Sequence, residues 1–552
     1  MKRPAFKVLG VNIYHDRAAC VVEDGRVLVA IAEERLDHIK HSKDPNNLPF
    51  KSIEYCSEVT GYKITDYDAI VVTCPKKNIE VLSEWIDQLK SIGLKDSNKV
   101  HTLSHHLAHA YSTYFPTNFK EALIWVADGG GSMVNGLQEG ESAYIAKGYE
   151  ISPIWQRFQV LQDHNAKHYK NLPISLGRKY EQLTHRLGFG FGEAGRVMAL
   201  ASYGNYKRFK NHPLGDVKAN SINLNYTSML SLINKFKKTD PIPDFYNSST
   251  KFDGWWADIS AQFQSFLEKA QLKIIGNLMK KYKQNTLCIS GGVALNCVAN
   301  SLIIERLKVK KWYIQPAASD EGQALGAAYY GYYKVLKGRK RHQQNNAYLG
   351  KTYSKKEIIN TLNKYPQLTY KEVRNLEKLT ASELSKNKII GWVQGGSEYG
   401  PRALGHRSIL ANPTNPAMKK IINSRIKKRE SFRPFAPSIT TEDISNFFEF
   451  KGKSPYMQLA IKVKNKYRKL LPPILHIDNT SRLQTVDRSG EPRFHKLLKE
   501  FAKLTGYPIL LNTSFNINGQ PIVETPKDAI ECFIKEDIDL LVIGNFLICK
   551  NK

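Results

Sequence analysis

The feature that most constrains the fold of this chain is a pattern of short apolar segments separated by tight turns, and it occurs twice. Near the start, KVLGVNI and AACVVED flank the turn Tyr14-His15-Asp16-Arg17, and Gly25 then turns the chain into RVLVAIAEER. Apolar runs bounded by turn-forming residues predict three short strands over 6–36. A second unit begins at ALIWVADGGG (122–131) and runs into SAYIAKG (142–148). Between them VHTLS reads as a strand and His105–Thr113 as a helix.

Strand, glycine-bounded turn and strand, given twice, predict an α/β chain whose first domain is a duplicated ribonuclease-H-like fold of the actin and sugar-kinase type. In such a fold the turns between paired strands point into a cleft and grip nucleotide phosphates. Further on, 260–279 has helical spacing, TLCIS (286–290) and KWYIQP (311–316) read as strands, and QALGAAYYGYYKVL as a helix of small apolar residues. The stretch LKGRKRHQQNNAY is polar and without periodicity, so it reads as a linker. The expected division is a first domain over 1–336, a linker over 337–346 and a second α/β domain over 347–552. In the second, the helix KTYSKKEIINTLNKY precedes strands IIGWVQG, YMQLAIKV and DLLVIGNFLI. At 552 residues the chain exceeds what one hydrophobic core serves, which agrees with two domains.

Composition narrows the classes. Seven scattered cysteines with no C-x-x-C pair argue against a disulfide framework or a zinc-ribbon site. No apolar run reaches membrane-spanning length and no signal-like segment precedes the first strand, so a cytoplasmic protein is expected. The net charge of +30 raises the question of a nucleic-acid partner, but the lysines are spread out and no basic stripe is interleaved with aromatics.

His105 and His109 form an H-x-x-x-H pair, which on a helix puts both rings on one face. Asp128 ends an apolar strand before Gly129–Gly131, and Asp320 sits between a strand and a helix. Two imidazoles and two carboxylates make a mixed site suited to Fe²⁺, Mn²⁺ or Zn²⁺; singly, each could be a helix-face histidine or a capping aspartate. The glycines of Gly190-Phe-Gly192-Glu-Ala-Gly195 match a dinucleotide fingerprint but follow a helix-like segment instead of the strand that fingerprint needs, so they read as a cleft loop. SGGVALN, with Gly291, Gly292 and Asn296, reads as a backbone nest for phosphate or ribose. In the second domain, EYGPRALGHRS carries Arg402 and Arg407 in a glycine-bounded segment suited to phosphate oxygens. Lys428, Arg429, Arg433, Arg482 and the segment Asn512-Thr-Ser514 add donors, and surface salt bridges are the alternative use for them.

The chain resembles the NodU/CmcH carbamoyltransferase family through YHDRAA (14–19), HHLAHA (105–110), ADGGG (127–131), SGGVALN (290–296), SDEGQALGAA (319–328), EYGPRALGHRSIL (398–410), RESFRPFAP (429–437), TSRLQTV (480–486) and LLNTSFNINGQPIV (510–523). The resemblance implies a TsaD-like first domain with His105, His109, Asp128 and Asp320 as metal ligands and Fe²⁺ as the first choice of metal. It places nucleotide at Gly129, Gly130, Gly291, Gly292 and Asn296. It also implies a YrdC-like second domain in which Arg402, Arg407, Lys428, Arg433, Arg482, Asn512 and Ser514 bind carbamoyl phosphate and ATP with Mg²⁺, giving carbamoyl-adenylate and pyrophosphate. The carbamoyl group then passes to a small-molecule hydroxyl, with His15 as the candidate base. Two departures stand out: GEAGRVMALASYG where the family reads close to GEEGKVMGLAPYG, which puts Arg196 in place of a lysine, and Asn412 where aspartate is common. A tRNA threonylcarbamoyl-modifying enzyme would use the same two folds, and a silent binding protein on this scaffold is a third reading. The acceptor has no motif, and loops over 205–255 are where its contacts are expected.

Overall fold

A computed structural model describes residues 5–44, 46–74, 79–160, 174–219, 221–225, 227–246 and 250–551. The chain divides into two compact units, the first over 1–37, 41–244 and 251–344, the second over 38–40, 245–250 and 345–552. Residues 220, 226 and 247–249 of the 205–255 stretch lie outside the described residues.

The first unit contains two sheets of the same plan. In one, β1 (Lys7–Asn12), β2 (Ala18–Glu23), β3 (Arg26–Ala32), β4 (Ala69–Cys74) and β5 (Val100–Ser104) lie in the order β3-β2-β1-β4-β5. β1 pairs antiparallel with β2 and parallel with β4. In the other, β6 (Glu121–Ala127) sits between antiparallel β8 (Leu137–Lys147) and parallel β12 (Thr286–Ser290). β13 (Lys311–Ile314) extends it beyond β12, while β7 (Met133–Val134) and β9 (Glu150–Gln159) both pair with β8. A separate hairpin joins β10 (Gly215–Val217) and β11 (Ile222–Leu224). Each sheet thus places the end of a central strand, β1 or β6, beside parallel neighbours whose ends deliver further residues to the same edge.

Apolar side chains on β1–β4, Leu9, Val11, Val21 and Val72 among them, pack against the helix Phe50–Thr60 and Trp85. On the other face the helix Gly322–Tyr330 approaches β1 so closely that a side chain at Gly10 would overlap the Ala324 carbonyl. This helix ends sooner than its apolar run suggests, passing into a π turn over Gly331–Val335. Residues 337–344, which read as linker from their composition, are fixed to the first unit. Arg341 donates to the carbonyls of Tyr114, Thr117 and Phe119 and lies over the Tyr114 ring, while Lys340 pairs with Asp24. A polar segment without periodicity can be ordered when its donors satisfy the open carbonyls at a helix end, as these do.

The second unit is built on one nine-stranded sheet in the order β14-β22-β21-β15-β16-β20-β17-β19-β18. Its strands are β14 (Leu368–Glu372), β15 (Ile390–Val393), β16 (Arg407–Ala411), β17 (Ala436–Thr440), β18 (Leu459–Lys462), β19 (Thr480–Val486), β20 (Ile509–Ser514), β21 (Leu540–Ile543) and β22 (Phe546–Lys550). Trp392, Leu410, Leu510 and Val542 form its core with Leu497, Leu498 and Phe501 of the helix Pro492–Thr505. DLLVIGNFLI, expected as one strand, is two: Gly544 takes a φ of +56°, and β21 turns back into antiparallel β22. No helix among the described residues is long and apolar enough to cross a membrane.

Candidate functional site

The helix His105–Tyr114 follows β5 directly and is buried almost throughout. Its first turn presents His105 and His109 on one face, Asp128 follows the end of β6, and Asp320 stands just before the helix Gly322–Tyr330. These four side chains converge, each offering an atom within 4.8 Å of the others. His105 Nε2 is 3.5 Å from Asp128 Oδ2 and 3.4 Å from Asp320 Oδ1, and His109 Nε2 is 3.3 and 3.4 Å from the same two atoms. Donors about 2.1 Å from a central ion in a tetrahedral shell stand about 3.4 Å apart, so the spacing already fits a first-row divalent metal. Asp320 Oδ1 is buried and accepts no hydrogen bond, which a cation would correct. Behind the cluster, His109 Nδ1 lies 3.1 Å from Ser290 Oγ, a contact that orients the ring. The middle histidine of the motif, His106, faces away, with Nδ1 2.7 Å from Ser142 Oγ, and burial pushes its pKa down to about 4.

Burial opposes every charge here, but the pairs overcome it. His109 is carried up to about 9 by its contacts with Asp128 and Asp320, and His105 and His109 hold Asp128 well below the carboxylate range. His15 lies on the turn between β1 and β2, where Tyr14 and Asp16 both take positive φ, +85° and +47°. Such backbone costs about 1–3 kcal/mol per residue and is kept where a site needs the direction it gives. His15 Nε2 is 3.1 Å from Asp320 Oδ2, and its Nδ1 is 3.5 Å from Asp16 Oδ2. Burial lowers the ring's pKa, yet Asp320 and Asp16 outweigh it and raise the value to about 10. The two carboxylates thus favour the protonated ring, and a base role for His15 requires the charge of Asp320 to be offset.

Several site residues expected from the sequence have other work. The Gly129 amide donates to Asp128 Oδ1 and the Gly292 amide to Asp128 Oδ2. Two amides of the nest expected to hold a nucleotide phosphate thus hold the protein's own carboxylate and aim it at His105 and His109. Gly130 leaves room for Gln138, and Gly291 turns at φ +90° against the Ala127 carbonyl. Asn296 caps the helix Cys297–Arg306 through the Ala299 amide and pairs with Gln264, so it is a structural cap and not a ribose contact. The glycines over 190–195 follow the helix Leu176–Arg186, and Phe191 among them reaches the rings of His15 and His41.

In the second unit Glu398 organises EYGPRALGHRS: its Oε1 accepts from the amides of Leu404, His406 and Arg407. Arg407 is fully buried and donates to the carbonyls of Gln394, Gly395, His406 and Glu524, so it braces the loop and is not available to a phosphate. Asn512 is likewise internal, donating to Ser438 Oγ and Gln484 Oε1. Lys428 is exposed, whereas Lys427 turns inward and donates to Ser514 and Asn516. The π turn over Asn423–Lys427 and the left-handed Lys428 after it decide which lysine faces in, and nothing in the sequence shows that register. Burial brings Lys427 down to about 7. Arg402, Arg433 and Arg482 are half-buried, with Arg433 3.4 Å from Glu430. The departures from the family pattern are accommodated: Arg196 pairs with Glu193 at 2.5 Å, and Asn412 caps the turn at Thr414.

Two family models describe the chain. One for the carbamoyltransferase N-terminus matches residues 7–82 and 74–329, and one for the carbamoyltransferase C-terminus matches residues 381–550. The nodulation protein NolNO of Sinorhizobium fredii is 33% identical over 97% of this chain and 79% of its own length. Nodulation protein U of Rhizobium tropici is 28% identical over 93% of this chain and 91% of its own length. Among solved structures, full-length HypF in its phosphate- and nucleotide-bound form aligns with 61% of this chain and 48% of its own, at a TM-score of 0.43 and 16% identity.

Proposed function

From the premise that the chain belongs to the carbamoyltransferase family, alongside the nodulation proteins of type U, we propose that it is an O-carbamoyltransferase working in two half-reactions. The first unit, duplicated and ribonuclease-H-like, transfers the carbamoyl group, and the second, YrdC-like, activates it. In the second, carbamoyl phosphate gives up its phosphate to water, the carbamate oxygen attacks the α-phosphorus of Mg²⁺-bound ATP, and pyrophosphate leaves. Bringing two polyanions together requires cations, and Arg402, Arg433 and Arg482 are the side chains that supply them, with Ser514 as a neutral donor.

In the first unit His105, His109, Asp128 and Asp320 would hold a divalent cation, Fe²⁺ as first choice, which would polarise the carbamoyl carbonyl and offset the charge of Asp320. Asp320 orients the His15 ring through Nε2, and Nδ1, 3.5 Å from Asp16 Oδ2, is the nitrogen that takes the proton of the acceptor hydroxyl. The Gly129 and Gly292 amides keep Asp128 ionised and fixed. The acceptor is a small-molecule alcohol.

The observation that carries this reading is the four-donor cluster beside His15 in a chain matched by carbamoyltransferase models in both halves. Pyrophosphate release and carbamoyl incorporation into a pool of hydroxylated metabolites, followed by mass spectrometry, test it. His109→Ala should keep carbamoyl-phosphate-dependent pyrophosphate release and lose bound metal and transfer. Loss of both half-reactions together would sink the separation of roles.

A further inference from the structure

Two of the amides expected at a nucleotide phosphate in the first unit, those of Gly129 and Gly292, are taken by Asp128, which directs attention to the side-chain donors beside them. Arg178 is placed to be that donor. It lies in the first turn of the helix Leu176–Arg186, which packs so tightly on the Asp128–Gly129 peptide that a side chain at Gly177 would overlap it. The helix end itself is not free: the Leu176 amide goes to Glu141 Oε1 and the Arg178 amide to Ser175 Oγ. The Arg178 guanidinium donates from Nε to the Gly129 carbonyl at 3.1 Å and from Nη2 to Gln138 Oε1 at 2.9 Å.

Both acceptors are neutral, and Arg178 has no carboxylate partner among the described residues. Two of the five guanidinium N–H groups are used, which leaves about three for a ligand. Burial holds this arginine below its usual pKa, against the opposing influence of Tyr14 and Asp128. A half-buried, oriented and unneutralised guanidinium is a poor structural element and a good receptor for a phosphate oxygen. Arg157, nearby on β9, shows the contrast, because it is neutralised by Glu141 through two contacts.

We propose that Arg178 binds the phosphate of the carbamoyl-adenylate in the first unit and stabilises it as it leaves, an inference that rests on the two-step reading above. In that step the acceptor oxygen bonds to the carbamoyl carbon, the bond from that carbon to the phosphate oxygen breaks, and the hydroxyl proton passes to His15. AMP departs with one more negative charge than the phosphate carried in the mixed anhydride, and that added charge forms beside Arg178.

Calorimetric titration of the full-length chain with AMP and, separately, adenosine tests this in the wild type, Arg178→Gln and Arg178→Lys, with bound metal counted in each. The wild type should bind AMP more tightly than adenosine. Arg178→Gln should weaken a class of AMP site at least tenfold while adenosine affinity and metal content stay put, and Arg178→Lys should recover part of the loss. Unchanged AMP binding in Arg178→Gln overturns the assignment. So does joint loss of adenosine binding or metal, which would make Arg178 a brace for the Asp128 loop. A wild type that binds neither nucleotide removes the two-step reading itself.

Discussion

At the residue scale, both units use loops that look built for foreign anions to hold the protein's own. Asp128 takes the Gly129 and Gly292 amides, and Glu398 takes three amides of EYGPRALGHRS. Sequence patterns identify where backbone donors gather but not what they hold, since the occupant is either distant in sequence or hidden within the motif. The convergence of His105, His109, Asp128 and Asp320 was legible because helical spacing and strand-end positions fix it. Arg407 was misread because its partners are carbonyls, which leave no mark in composition. Lys427 offers a test of the pocket around it. Unfolded it titrates near its ordinary 10.5, folded near 7, so between those values the unfolded chain binds the extra proton and stability rises with pH. In denaturant titrations at pH 7 and pH 9, the stability of wild type relative to Lys427→Met should increase with pH; a constant difference would contradict the burial described.

At the element scale, the four-donor cluster depends on two helices meeting without a side chain at Gly326. A side chain at Gly326 would overlap the Ala108 carbonyl, so the helix bearing His105 and His109 rests on the helix that follows Asp320. Overpacking commonly costs about 1–3 kcal/mol, and backbone on the far side yields less than a side chain would. Gly326→Ala should therefore lower the melting temperature and also reduce bound metal measured by plasma emission, because separating the helices pulls the histidines from Asp320. A variant that is destabilised yet fully metallated would show that the donors are held by their loops instead. The small-residue run QALGAA announced close packing of this helix, whereas the partner it packs on was not readable. Likewise the strand pairs around Tyr14–Arg17 and Gly25 were evident from apolar runs bounded by turn residues, but the β21–β22 turn at Gly544 lay inside an unbroken apolar run.

At the scale of the whole molecule, the +30 charge is the feature that the carbamoyl chemistry accounts for least. Spread over lysine-rich surfaces, it should give polyanion binding that is non-specific and released by salt. Filter binding to tRNA is expected at low ionic strength and to be lost by roughly 200 mM salt, with no modified nucleoside formed from ATP and carbamoyl phosphate. Salt-resistant binding to particular tRNAs would favour the threonylcarbamoyl reading. The donor cage has a consequence of a different kind. Its nitrogen-to-oxygen edges stand at 3.3–3.5 Å, the spacing a tetrahedral first-row ion calls for. A cage of two nitrogens and two oxygens suits any of several first-row ions, and their intrinsic order of affinity differs from their usefulness in the reaction. The ion such a cage takes would then follow what the cell makes available. Protein purified from cells starved of iron or flooded with zinc should therefore be folded alike and differ only in turnover, so that growth medium becomes an experimental variable for this enzyme.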